Sequence, residues 1–92
     1  MPYVLCLHLF SKKDGNLYIG YTNDLKRRLR EHKSGQSIAT RNRLPLLLIH
    51  YESYLKWSDA KRREKFLKGG KGRAEFKIQL QDILRELGYK HL

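Results

Sequence analysis

The stretch from Leu17 to His32 constrains this chain more than any other. It reads as a short strand, a turn and the start of a basic helix. Asn23 or Asp24 caps a helix that begins near Leu25. Leu25 and Leu29, four apart, share the face that packs on a sheet. Arg28 and His32, also four apart, share a second face. Lys26, Arg27 and Arg30 spread over the remaining surface. Lys33-Ser34-Gly35 ends the helix, with Gly35 as its C-cap. Two tyrosines, several arginines, a histidine and a helix N-terminus thus fall within one short stretch of chain. The concentration is either a reactive site or a positively charged face.

The flanking sequence supplies the sheet. Tyr3 to Phe10 is apolar and aromatic apart from His8, and predicts a buried strand. Ser11 to Asn16 is turn chemistry containing Asp14-Gly15, so Leu17 to Tyr21 returns antiparallel to it through a bulged or flexible tip. Gln36 to Leu44 has no periodicity and reads as a basic loop. Pro45 introduces Leu46 to Ser53, an apolar run that fits the central strand of a small sheet, with Glu52 near its end. Ser58 caps a helix from Asp59 to about Lys68. Gly69-Gly70-Lys71-Gly72 breaks it and forms a basic loop, without the G-x-x-x-x-G-K-[ST] spacing of a phosphate loop. Arg73 to Leu87 reads as one further helix, with Phe76, Leu80, Ile83, Leu84 and Leu87 at helical spacing. Gly88 ends it, and Tyr89 to Leu92 frays. The fold class expected is α/β (α+β): a small antiparallel sheet with flanking helices.

At 92 residues the chain is expected to form one domain. Its formal charge of +11 predicts a polyanion as partner, nucleic acid before anionic membrane. No apolar run approaches the roughly 20 residues of a membrane span. Met1-Pro2-Tyr3 lacks the marks of a signal peptide, which favours a cytoplasmic location. Cys6, the only cysteine, lies in the apolar run Val4-Leu5-Cys6-Leu7 and reads as a small core residue. One thiol cannot build a cysteine-rich zinc site.

Tyr18-Ile19-Gly20, then Arg28 and His32 on one helix, then Glu52 after an apolar strand, resembles the GIY-YIG nuclease superfamily. The likeness runs from Tyr3 to about Ile83 and is closest to small single-domain bacterial members related to the nuclease module of the excision-repair endonuclease. Tyr51-Glu52-Ser53, the segment from Ala60 to Lys68, and Gly69 to Arg73 also look like that group. The resemblance implies a three-stranded antiparallel sheet flanked by helices, cutting phosphodiester bonds with one divalent metal, Mg²⁺ or Mn²⁺. It implies roles at matching positions: Tyr18 as base or water activator, Arg28 on the scissile phosphate, His32 near the reacting groups, and Glu52 as the metal carboxylate. The first motif falls on Tyr3-Val4-Leu5, so Leu5 replaces that motif's tyrosine, with Leu9-Phe10 as an insertion before Tyr18. Either Tyr3 supplies the hydroxyl from a shifted register or the hydroxyl is missing.

Each residue also has a plainer reading. Glu52 could pair with nearby lysines, Arg28 could be one more solvated helix charge, and Tyr18 could be core. A phenol ionises near pH 10 in water and is a poor base unless cations lower that value. Guanidinium suits phosphate because its planar fork donates two parallel hydrogen bonds. His8, His50 and His91 are assigned no role, and Asp14 is a turn residue. Lys26, Arg27, Arg41, Arg43, Lys68, Lys71 and Arg73 are the candidates for backbone contact with nucleic acid. Trp57 is assigned to packing. The function expected is a metal-dependent endonuclease on DNA, branched or single-stranded, with structure-selective or nonspecific cleavage. The alternative is a nucleic-acid-binding module of the same fold without cleavage; composition leaves RNA open as the partner.

Overall fold

The structure, a computed structural model, describes residues 3–91. Its elements follow in the order β1 (Val4–Ser11), β2 (Leu17–Thr22), α1 (Leu25–Lys33), β3 (Leu46–Tyr54), α2 (Trp57–Lys68), α3 (Gly70–Gln79) and α4 (Gln81–Glu86). The strands form one antiparallel sheet in the order β2-β1-β3. The expected α+β class and three-stranded sheet are therefore present.

The central strand is β1, not the expected run from Leu46 to Ser53. Every residue of β1 is buried. It is paired on both edges and covered on both faces. The apolar run of β3 predicted burial correctly only in part: half-buried positions give way to exposed Tyr51 and Ser53 toward its end. An apolar run shows that a strand is buried but not from how many sides.

Pairing fixes which side chains share a face, because strand side chains alternate. Leu9 opposes Tyr18 and Leu48, Leu7 opposes Gly20 and Tyr51, and Leu5 opposes Thr22 and Ser53. This face meets α1: Leu9, Leu29, His32 and Leu48 line one small cavity of about 180 Å³. The opposite face carries Cys6, which packs with Leu67 of α2 and Phe76 of α3. Cys6 is fully buried and its thiol is pushed up to about 11 by burial, as a core residue should be. The β1–β2 ladder runs without a break from Leu5 to Phe10. The irregularity lies on the other side, where Ile49 is the extra residue between the His8–His50 and Leu9–Leu48 pairs. Leu9 and Phe10, the expected insertion, pair in the β1–β2 ladder with Tyr18 and Leu17.

Helix α1 ends as its sequence predicts. Asp24, in extended backbone, accepts the Arg27 amide at 3.1 Å through Oδ1. Gly35 has φ +79°, the Gln36 amide reaches Glu31 O at 2.9 Å and the Gly35 amide reaches His32 O at 3.4 Å. That is the Schellman pattern.

The C-terminal half departs from expectation in four ways. Helix α2 starts at Trp57 after an N-cap Lys56 without a side-chain cap, so Ser58 lies inside its first turn. Gly69 alone separates α2 from α3, and Gly70 to Gly72 are helical rather than loop. A Cβ at Gly72 would lie 1.9 Å from Phe66 O, so this glycine is what lets α3 close on α2. The single helix expected from Arg73 to Leu87 is two, broken at Leu80. The chain after α4 is held, not frayed, through Tyr89: its amide bonds Leu84 O at 2.9 Å, behind Gly88 at φ +74°. Leu92 lies outside the described residues.

Candidate active site

Three of the expected site residues gather on the α1 face. Tyr18 lies on β2 with its ring edge-on to His32, centroids 5.3 Å apart. Its ring extends along the strand over Gly20. A Cβ there would come 3.0 Å from Tyr18 Cε2 and 3.2 Å from its hydroxyl oxygen, so glycine leaves the phenol its place. Arg28, one turn before His32, donates from Nη1 to Glu31 Oε1 at 3.1 Å. Burial works against its charge, but the hydrogen-bonding Glu31 carboxylate and Tyr18 hydroxyl raise its pKa above the ordinary value. Arg28 is thus a permanent cation beside the Tyr18 hydroxyl.

His32 is 1 % exposed. Its Nδ1 lies 2.6 Å from Thr40 Oγ1, while Nε2 has no partner among the described residues. Burial and then the Arg28 charge lower its pKa, so the ring is neutral near pH 7. Thr40, also fully buried, is a contact that the sequence did not reveal. It lies in a loop without periodicity, eight residues from His32, and nothing in that pattern marks it.

Glu52 is elsewhere. It opposes Cys6 and faces α2 and α3, across the sheet from Tyr18 and His32. Arg63 Nε and Nη2 donate to its two oxygens at 3.0 and 3.2 Å, Tyr54 donates to Oε1 at 2.6 Å, and His50 Nε2 stands 3.2 Å from Oε2. Burial raises its pKa, but Arg63 first and then Tyr54 and His50 outweigh it, holding the carboxyl down at about 2. A carboxylate has about four lone-pair sites, and four neighbouring groups occupy them. This arrangement does not fit a metal ligand. His50, assigned no role from sequence, is part of it.

His8 completes this second cluster. It is fully buried, 5.2 Å from the His50 ring and 4.5 Å from that of Phe76, and neither ring nitrogen has a partner among the described residues. Burial, then His50, lower its pKa to about 4. No group of three or more His, Cys, Asp or Glu is arranged to hold a metal among the described residues. Glu64 on α2 is the other half-buried carboxylate of this half, with Lys68 Nζ at 3.5 Å as its ion-pair partner.

Leu5 is not the position opposite Tyr18. Leu9 is, and Leu5 stands four residues, about 13 Å, farther along β1. A hydroxyl at Leu5 would not reach the Tyr18 backbone position, and Tyr3 lies still farther out, 43 % exposed.

Of the basic candidates, Lys26, Arg27, Arg41, Lys68, Lys71 and Arg73 are exposed. Arg43 is not free: its Nε donates to Asp14 Oδ2 at 2.6 Å and its Nη2 to Leu17 O at 3.4 Å. Asp14, expected to be only a turn residue, therefore ties the hairpin tip to the loop after α1. That hydrogen bond is the first cause of its low pKa, about 2. Trp57, assigned to packing, is 49 % exposed and stands edge-on to Tyr21 at 4.6 Å.

The GIY-YIG catalytic domain model matches residues 5–79, which spans all three strands and the helices through α3. The chain belongs to the GIY-YIG family. It is 36 % identical over 85 residues to a UPF0213 protein of Streptococcus pneumoniae serotype 4, covering 89 % of this chain and 86 % of that one. It is 42 % identical over 59 residues to a UPF0213 protein of Halobacterium salinarum, covering 63 % and 77 %. A UPF0213 protein of Bacillus pumilus is 35 % identical over 80 residues, covering 85 % and 82 %. No solved structure gives a significant match. A GIY-YIG domain places this chain among nuclease-like proteins that act on nucleic acid, a class typically dependent on a divalent metal. No helix among the described residues is long and apolar enough to cross a membrane.

Proposed function

We propose that this protein is an endonuclease that hydrolyses DNA phosphodiester bonds at the Tyr18–Arg28–His32 face, structure-selectively or without sequence preference. The observation that carries this reading is the gathering of a phenol, a guanidinium and a buried imidazole with one unpartnered nitrogen on one face of the sheet. Arg28 would bind a phosphate oxygen with the part of its fork that Glu31 leaves free, and so stabilise charge that develops on phosphorus. Tyr18 would orient the attacking water through its hydroxyl, and His32, whose Nε2 is buried in the free protein, would reach a reacting oxygen once bound DNA opens that face. A divalent metal, Mg²⁺ or Mn²⁺, supplies Lewis-acid stabilisation in reactions of this class. Glu52 does not fit it as arranged; judged by free lone pairs, Glu64 fits better. The exposed Lys26, Arg27, Arg41, Lys68, Lys71 and Arg73 would hold DNA by its phosphates, a mode that carries no sequence information.

The test is purified protein with Mg²⁺ or Mn²⁺ on duplex, branched and single-stranded DNA, alongside Arg28→Ala, Glu52→Gln and Glu64→Gln. Cleavage abolished by Arg28→Ala supports the reading. Cleavage that survives Arg28→Ala unchanged defeats it. A second reading, binding without cleavage, is favoured by the absence of a metal-holding cluster among the described residues. Salt-sensitive binding with no cleavage under either metal would select it, and competition with RNA would show which nucleic acid is preferred.

A further inference from the structure

We propose that the Thr40 hydroxyl donates to Nδ1 of His32, fixing the ring proton on Nε2, so that His32 enters the site as an N–H donor and not as a base. Thr40 is thereby a positioning residue. The two atoms are 2.6 Å apart and both side chains are buried.

A hydroxyl can either donate to or accept from an imidazole, so distance alone leaves two arrangements. If Nδ1–H donated to Thr40, the buried Thr40 O–H would need an acceptor elsewhere. Its only hydrogen bond among the described residues is the one to His32. Nε2 would then be a bare lone pair, also without a partner. Two buried groups would be unpaired. If Thr40 donates to Nδ1, only the Nε2–H is left unpaired. Buried polar groups are almost always satisfied, so the arrangement with fewer orphans is favoured. The remaining orphan is then the Nε2–H donor.

The surrounding chain explains how a loop threonine is held firmly enough to do this. The Ser37 amide bonds back to Glu31 O at 3.3 Å, the Thr40 amide bonds to Ser37 O at 3.2 Å and the Arg43 amide to Thr40 O at 2.9 Å. Ser11, at the end of the central strand, donates to Arg43 O at 2.6 Å, and Asp14 holds the Arg43 side chain. The loop is pinned to α1 at one end and to the β1–β2 hairpin at the other. Burial, and then the charge of Arg28, keep a second proton off the ring, leaving one proton to place. What the Nε2–H meets, a phosphate or leaving oxygen of DNA, rests on the nuclease reading above. The placement of the proton does not.

The experiment is a two-bond ¹H–¹⁵N correlation of the histidine rings in the intact protein near pH 7, with His32→Gln to assign the signal. The wild type should show His32 with the proton on Nε2. Thr40→Val should shift the pattern toward the other tautomer or a mixture, and Thr40→Ser should restore it. Cleavage should fall by about tenfold or more in Thr40→Val and recover in Thr40→Ser. A wild-type proton on Nδ1 overturns the proposal, as does a His32 pattern unchanged in a folded Thr40→Val. If the wild type cuts no DNA, the nuclease reading fails while the ring spectra still decide the proton's place.

Discussion

The two faces of the sheet carry polar clusters built from similar parts and finished differently. On the α2/α3 face, Glu52 receives Arg63, Tyr54 and His50, and no site on the carboxylate is left over, although His8 in the same cluster has neither ring nitrogen partnered among the described residues. On the α1 face, Thr40 satisfies one nitrogen of His32 and leaves the other unpartnered. A saturated carboxylate fixes structure, because any new ligand must first displace a good partner. An unpartnered buried nitrogen is expensive to keep at either face; the His32 one belongs to a ring beside the Tyr18 phenol, whereas the His8 ring packs between His50 and Phe76. The carboxylate that sequence resemblance marks as the metal site thus behaves as a joint between β3 and α2.

The largest effect that would break this contrast is on chemistry. Arg28→Ala should lower cleavage by about 10²- to 10³-fold, the cost of removing one preorganised donor to a developing charge. Its melting temperature should stay close to wild type, since Arg28 forms its ion pair with Glu31 near the surface. A loss of activity that merely tracks unfolding would place Arg28 among structural residues.

Next comes stability on the opposite face. Glu52→Ala should destabilise the fold by about 3 kcal/mol, because it strands the half-buried Arg63 guanidinium. Replacing both partners, as Glu52→Leu with Arg63→Met, should recover much of that loss. Urea midpoints of the two singles and the double would measure the coupling; simple additivity would mean that the pair is not a joint.

The same face should respond to acid. His8 has a folded pKa of about 4 against an ordinary 6.5. The unfolded chain therefore binds the proton first. The stabilisation is complete above about pH 6.5 and is lost as pH falls toward 4. Its full extent is on the order of 3 kcal/mol. Glu52, depressed from 4.5 to about 2, continues the loss below pH 4.5. Thermal unfolding followed from about pH 7 to about pH 4 should show a falling midpoint that His8→Phe flattens. A midpoint constant over that range would show that His8 takes up its proton in the folded protein as readily as in the unfolded chain.

The smallest effect is expected at Gly20. Gly20→Ala brings a methyl group to 3.0 Å from the Tyr18 ring, the free end of a flexible side chain. Stability should change by no more than about 1 kcal/mol. Cleavage should fall several-fold more than binding, since the displaced group is the phenol. Equal falls in both would detach Tyr18 from the chemistry.

Much of this architecture was legible. The Asp14-Gly15 turn, the Asp24 cap and Gly35 are local signals read by neighbouring residues, and they stand where expected. The order of the strands was not legible, because an apolar run reports burial without reporting partners. Gly72 misled because glycine marks loops and close helix contacts alike, and only the 1.9 Å approach to Phe66 O separates them. Arg28 and His32 share a helix face that their spacing reveals, whereas Tyr18, on β2, is singled out only by the family resemblance, since its strand pattern alone reads as core. Thr40 and Arg63 could not be picked out. Each acts on a partner brought near by folding, Arg63 on a carboxylate 11 residues away, and no spacing rule links them.

The most direct measurement is the cleavage rate of Glu52→Gln, expressed per folded molecule, at a temperature where its unfolding curve shows the fold intact. If the α1 face does the chemistry and Glu52 is a joint, the rate should lie within about threefold of wild type while the urea midpoint falls. A loss of about 100-fold or more in a fully folded Glu52→Gln would place that carboxylate at the reacting phosphate and contradict the division between the two faces.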